Sequence, residues 1–233
     1  MTSENEFLSD VELYYTLPEN CGVEITLAGD EFKHAVKVMR HKPGDELYVT
    51  NGYGEIFLCE VKLVEKDIIK LEVIKTFPYK NNLVNIYFCL PKLKNPDRLE
   101  FALEKCTELG ITNFIIFESE RTVSRSSKLE RWNKIVLSAM KQSLRSFLPE
   151  ILEIKSLSIV KDYPGEKIIF EQSAGTYFNN FKIDLVRKYF FLFGPEGGFS
   201  DEELRLFDDS KIYKLAENRL RSETAIIKCA SML

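Results

Sequence analysis

Hydrophobic and polar positions alternate in short runs over the first third of the chain: Val23 to Leu27, Glu46 to Thr50, Glu55 to Val64 and Ile68 to Ile74. A period of two sends successive side chains to opposite faces, so these runs predict half-buried strands. Asn51-Gly52-Tyr53-Gly54, between two of them, is a hairpin signal. One short helix, about Asp30 to Met39, interrupts the series. Residues from about 11 to 76 therefore read as a small β-barrel-like domain. A linker containing Pro78 and Asn81-Asn82 follows.

From Leu83 the pattern changes to strands that alternate with helices. Val84 to Leu90 and Phe114 to Phe117 read as strands, and Ile168 to Phe170 and Tyr189 to Phe193 as further buried strands. Pro96 to Leu109 predicts a helix with proline in its first turn and Gly110 as its stop. Leu99, Leu103 and Cys106 mark its buried face. Leu129 to Ser146 predicts a longer helix that stops before Pro149. Such alternation argues for an α/β domain with a mainly parallel sheet.

Composition narrows the class. The 233 residues are 45% hydrophobic and 29% charged, which is ordinary for a globular protein. No apolar run approaches a membrane span, and the polar Met1 to Asp10 segment argues against a signal peptide. A cytoplasmic protein without a membrane partner is expected. Cys21, Cys59, Cys89, Cys106 and Cys229 are odd in number and scattered, which fits reduced thiols. With only two histidines, His34 and His41, no metal site is expected. Net charge is −4, yet cations crowd two segments. One holds Lys33, Lys37, Arg40 and Lys42; the other holds Arg121, Arg125, Lys128, Arg131, Lys134, Lys141 and Arg145. Each alone suits a solvated face, and the two together suit a local RNA footprint.

The candidate chemistry lies near the C-terminus. Phe190-Phe191-Leu192-Phe193 runs directly into Gly194-Pro195-Glu196-Gly197-Gly198-Phe199-Ser200. Three glycines and a proline stabilise neither helix nor strand, so the loop serves a turn or a close backbone approach. Neither phosphate-binding glycine fingerprint is present, and Glu196 would repel a phosphate. A plain strand-to-helix turn, with Ser200 as N-cap and Glu203 completing a capping box, stays open beside a ligand loop.

Leu215-Ala216-Glu217-Asn218-Arg219-Leu220-Arg221-Ser222-Glu223-Thr224-Ala225 completes a signature. With the G-P-E-G-G element it resembles the RsmE-type 16S ribosomal RNA uridine-N3 methyltransferases of the SPOUT class. That family ends in a pattern close to L-G-x-R-x-L-R-x-E-T-A; Ala216 and Asn218 depart from it. Five further blocks follow the family order. They are His34 to Glu46, Pro91-Lys92-Leu93-Lys94 to Arg98, Lys105 to Gly110, Ser119 to Val123, and Gln142 to Glu150.

The resemblance implies an α/β fold with an N-terminal PUA-like β-barrel, residues 1–78, and a C-terminal SPOUT domain with a trefoil knot, residues 79–233. It implies S-adenosyl-L-methionine as cofactor and a homodimer. The implied partner is 16S rRNA in the small ribosomal subunit, with uridine 1498 in standard 16S numbering as target. Cofactor residues by resemblance are Leu192, Phe193, Gly194, Glu196, Gly197, Gly198, Leu215, Leu220 and Thr224. Arg221 is expected to stabilise the anion that forms when uridine N3 loses its proton, with Glu223 as orienting partner or base. Lys33, His34, Lys37, Arg40, Lys92, Arg121, Gln142 and Arg145 are expected to touch RNA. The competing readings are a non-catalytic RNA-binding protein with a vestigial cofactor loop, and a SPOUT enzyme with another RNA target.

Overall fold

Short alternating runs build the first unit of the computed structural model, which describes residues 9–121 and 127–233. Its strands are β1 (Leu13–Tyr15), β2 (Glu24–Ala28), β3 (Glu46–Thr50), β4 (Glu55–Val64) and β5 (Ile68–Pro78). They form one sheet in the order β1-β3-β4-β5-β2, with β1 parallel to β3 and the other pairs antiparallel. Two register shifts bend β4 against β5, as bulges do. Among the described residues no ladder joins the edge strands β1 and β2. Instead Thr16 Oγ1 donates to the Thr26 carbonyl at 3.2 Å. Tyr14, Ile25, Leu27, Val49 and Leu71 fill the interior. Between β2 and β3, helix α1 (Gly29–Lys33) continues into a π-helical turn, His34–Val38.

Residues 140–148 also belong to this unit. The expected helix to Ser146 ends earlier because Leu144 adopts φ 55°, which a helix cannot continue. The Ser146 carbonyl then accepts the Gly54 N–H at 2.8 Å, and the Leu148 N–H donates to the Gly52 carbonyl at 2.9 Å. Gly54 has φ 102°, and a Cβ there would lie 2.5 Å from the Phe147 ring. The hairpin glycines thus serve the turn and leave room for this segment.

The second unit, residues 82–139 and 149–233, carries a six-stranded sheet. In chain order its elements are β6 (Ile86–Pro91), α2 (Pro96–Glu108), β7 (Asn113–Phe117), α3 (Leu129–Gln142, which runs on into residues 140–142), β8 (Glu150–Ile154), α4 (Ser158–Lys161), β9 (Glu166–Phe170), β10 (Tyr189–Phe193), α5 (Asp201–Arg205), β11 (Lys211–Tyr213) and α6 (Ser222–Ala230). The strand order is β11-β9-β10-β6-β7-β8 and every pair is parallel. All five residues of β10 are buried, as a central strand covered on both faces requires. Asn95 caps α2 by accepting the Asp97 N–H at 3.0 Å, and Gly110 leaves it at φ 95°. Cys59, Cys89, Cys106 and Cys229 are buried free thiols, and burial raises the pKa of all four, that of Cys59 to about 12.

Candidate active site

The glycine loop begins where β10 ends. Ser200 Oγ accepts the Glu203 N–H at 3.0 Å while the Glu203 carboxylate accepts the Ser200 N–H at 2.9 Å, so the capping box that starts α5 is complete. The same carboxylate accepts Ser119 Oγ–H at 3.1 Å and the Glu120 N–H at 3.2 Å. One buried side chain thereby ties the segment after β7 to the segment after β10. Arg121 continues that tie, donating from Nη1 to the Gly197 carbonyl at 2.6 Å. The three glycines do different things. Gly198 holds φ 71°, a left-handed conformation. Gly194 is hemmed in: a Cβ would stand 3.3 Å from Gly198 Cα and from the Phe199 nitrogen. A Cβ on Gly197 would meet only Arg121, at 3.5 Å.

A second loop, after β11, is fastened to the first. Ser222 Oγ donates to the Gly194 carbonyl at 2.8 Å, and Arg219 Nη2 to the Glu196 carbonyl at 3.3 Å. Gln172, after β9, donates to the carbonyls of Ala216 and Glu217 at 3.2 and 2.9 Å. These three loops leave the carboxyl ends of adjacent strands β11, β9 and β10, the edge at which open parallel sheets bind ligands. They enclose a cleft of about 490 Å³. Its wall mixes apolar surface from Phe170, Phe193, Leu215 and Leu220 with Arg98, Arg219 and Arg221. Glu171 also lines it. Burial raises the Glu171 pKa, against N–H bonds from Phe199 and Gln172 and the charge of Arg121, which lower it.

A family model for the RNA methyltransferase domain matches residues 80–233, and one for the RNA methyltransferase PUA domain matches residues 27–74. The chain is 30% identical over 226 residues to ribosomal RNA small subunit methyltransferase E of Bacillus subtilis, covering 89% of this chain and 88% of that one. It is 31% identical to the Rickettsia conorii enzyme of the same name, covering 91% and 88%. The chain belongs to the ribosomal RNA small subunit methyltransferase E family. A solved structure of such an enzyme from Neisseria gonorrhoeae, bound to S-adenosyl methionine, superimposes with a TM-score of 0.84 at 26% identity over 95% of each chain.

Of the residues expected at a methyltransferase E cofactor site, Phe193, Gly194, Glu196, Gly197, Gly198, Leu215 and Leu220 line the cleft, and so does Arg221. Leu192 and Thr224 lie outside its lining. Leu192 is packed in the core, and Thr224 is exposed on α6. Glu223 is buried, and the cation it faces is Arg98, at 3.5 Å, rather than Arg221. Arg98, Glu171 and Gln172 are cleft residues that the sequence reading left unassigned; a position just past a strand's carboxyl end was the available signal for the last two.

The expected RNA contacts divide. Lys92 is 4% exposed and pairs with Glu118 at 2.8 Å and Glu153 at 2.7 Å, so its charge is turned toward the fold rather than solvent. Arg121 is exposed, and its guanidinium is engaged with the glycine loop. Lys33, His34, Lys37, Arg40, Gln142 and Arg145 all belong to the first unit. Lys33 pairs with Asp30 at 2.8 Å, and His34 lies 3.5 Å from Glu12 and edge-on to Tyr14. Lys37 and Val38, the last residues of the π-helical turn, and Met39 and Arg40 just after it are all exposed. Arg125, Thr122 and Val123 fall outside the described residues, as does the segment up to Leu8. No cluster fit to hold a metal occurs among the described residues.

Proposed function

We propose that the protein transfers a methyl group from S-adenosyl-L-methionine to N3 of a uridine in 16S rRNA, uridine 1498 in standard numbering, on the maturing small ribosomal subunit. The observation that carries this reading is the cleft itself, three interlocked loops at the carboxyl ends of adjacent parallel strands. The fit to the cofactor is chemical. Gly197 opens a stretch of backbone to close approach, Phe170, Phe193, Leu215 and Leu220 offer apolar surface to a purine, and backbone N–H and C=O groups offer partners for its edge. Glu196 and Glu171 are tolerable beside a cation where they would repel a phosphate. When bound, the cofactor supplies an electrophilic methyl on a positively charged sulfur.

The chain's own residues hold and polarise the acceptor. Uridine N3 keeps its proton at neutral pH, so transfer requires that proton to leave. Arg221 stands at the N-cap of α6, exposed and without an ion pair among the described residues. It is placed to meet the negative charge that develops on the uracil oxygens. Enclosure by the loops sets donor and acceptor in line, which lowers the entropic part of the barrier. The exposed Lys37–Arg40 segment holds RNA phosphates and leaves base choice to the cleft.

Residues 79–233 carry a trefoil knot in this proposal, which the fastening of residues 219–222 to the earlier loop at 194–196 supports. The protein works as a homodimer in the cytoplasm, two-fold closure being the commonest assembly. No helix among the described residues is long and apolar enough to cross a membrane. The test is transfer of labelled methyl from S-adenosylmethionine to partly assembled small subunits from a deletion strain, with the modified nucleotide mapped. Label at uridine N3 supports the reading; cofactor binding with no transfer to any RNA overturns it.

A further inference from the structure

Arg98 is a cation where helix physics disfavours one. It is the third residue of α2, in the turn whose free N–H groups already carry positive potential. It lies in the wall of the cleft rather than on an outer face. Its Nε sits 3.5 Å from Glu223 Oε1, and no hydrogen bond from its Nη groups occurs among the described residues. Glu223 is 8% exposed, and its second oxygen, Oε2, is buried with no hydrogen-bond partner. A buried carboxylate with one idle oxygen and one long ion pair is costly unless the site uses it. Positions that break a local rule without structural gain mark function.

We infer that Arg98 is a second anion-recognising residue for the acceptor base, and that Glu223 is its positioning residue rather than the base of the reaction. The reading rests on the methyltransferase assignment and names the substrate group involved. As N3 loses its proton, uracil presents a planar oxygen–nitrogen–oxygen edge bearing one negative charge. The N3 lone pair lies in the ring plane and must face the methyl, so the guanidinium fork donates to one of the flanking carbonyl oxygens, and a lysine cannot reproduce that fork. Glu223 Oε1 approaches Arg98 at Nε, and with no Nη hydrogen bond among the described residues the Nη donors remain unspent. Arg98 and Arg221 line the same cleft, so the two guanidinium groups share the charge.

The experiment compares wild type, Arg98→Ala, Arg98→Lys, Glu223→Gln and the Arg98→Ala/Glu223→Gln double variant on partly assembled subunits. S-adenosylhomocysteine binding is followed by calorimetry in parallel. Arg98→Ala is expected to lower kcat by about a hundredfold, with S-adenosylhomocysteine affinity held within about twofold. Arg98→Lys should recover less than about a tenth of the loss. Glu223→Gln should lower kcat by about tenfold and keep the acid limb of the pH–rate profile. The double variant should be no slower than Arg98→Ala alone, because Glu223 acts only through Arg98. It also removes the unpaired buried charge, so it reports even if Arg98→Ala folds poorly.

Three results overturn the inference. A fall in S-adenosylhomocysteine affinity with Arg98→Ala, while that for 5′-methylthioadenosine, which lacks the carboxylate, holds, means that Arg98 reads the cofactor. Loss of the acid limb in Glu223→Gln makes Glu223 the base. Multiplied losses in the double variant separate the two residues. If wild type itself methylates no uridine, the functional assignment fails instead, and the two failures are distinct.

Discussion

Replacing Glu203 should loosen the site from behind. Its carboxylate, 5% exposed, accepts the Ser200 N–H at 2.9 Å, Ser119 Oγ–H at 3.1 Å and the Glu120 N–H at 3.2 Å. Hydrogen bonds to a charged group contribute about 1.5–3 kcal/mol each, and contributions within one network do not simply add. Glu203→Ala removes all three, one of which is half of the capping box, so a loss of about 3–5 kcal/mol is expected. Glu203→Gln keeps an oxygen for Ser200 and Ser119 but turns an amide N–H toward the Glu120 N–H. It should cost about 1–2 kcal/mol. Trp132 is the only tryptophan, buried at 2% in α3 within the second unit, so its fluorescence in urea reports on this unit. With a slope of about 2–3 kcal/mol per molar urea, the alanine midpoint should fall by roughly 1–2 M. S-adenosylhomocysteine affinity should fall about tenfold in the alanine variant, since a few kcal/mol of lost ordering opens the glycine loop. An alanine variant with an unmoved midpoint and unchanged affinity would refute the idea that this carboxylate joins the two loops.

Lys92→Met should cost about 3 kcal/mol, because two carboxylates lose their buried cation, and should leave the salt dependence of RNA binding unchanged. Burial works against the Lys92 charge, but hydrogen bonds to Glu118 and Glu153 outweigh it and raise its pKa; Glu153, against its own desolvation, is lowered by Lys92 and Ser127. The gap between wild type and variant in urea should therefore be full from about pH 5 to pH 10, shrink in acid as Glu153 protonates, and shrink in alkali as Lys92 deprotonates. Charge reversal at Lys37 and Arg40 should weaken RNA binding and flatten its log–log salt slope by about 1.4–1.8, with cofactor affinity intact; an unmoved slope removes this segment as the RNA anchor. Arg221→Ala should retain RNA binding while single-turnover transfer falls about a hundredfold or more, and full turnover would remove its role.

What the sequence made legible follows the range of the interactions. The capping box of Ser200 and Glu203 is local and was readable from four residues. The continuation of Glu203 to Ser119 and Glu120 joins positions 84 and 83 residues apart, and no local pattern announces it. Strands β3, β4 and β10 matched their expected bounds because alternation or unbroken apolarity marks them. Strand β8 carries no such mark: Glu150–Ile154 is short and two of its five residues are charged, as an edge strand allows. The turn at Leu144 is a non-glycine left-handed residue, which no composition rule foretells.

Lys92 and Arg98 show why charge alone misleads. Both stand in one stretch, Pro91 to Arg98, and both are cations near an expected site. Lys92 is matched by two carboxylates at 2.8 and 2.7 Å and is almost wholly buried, so its charge is consumed by the fold. Arg98 is matched by one carboxylate, at 3.5 Å, from the edge of a cleft, so part of its donor set remains available. The difference lies in partners more than twenty-five residues away in the first case and more than a hundred in the second. A cation becomes a functional candidate when the fold leaves its hydrogen-bonding capacity unspent at a cavity wall, and by that criterion Arg98 replaces Lys92.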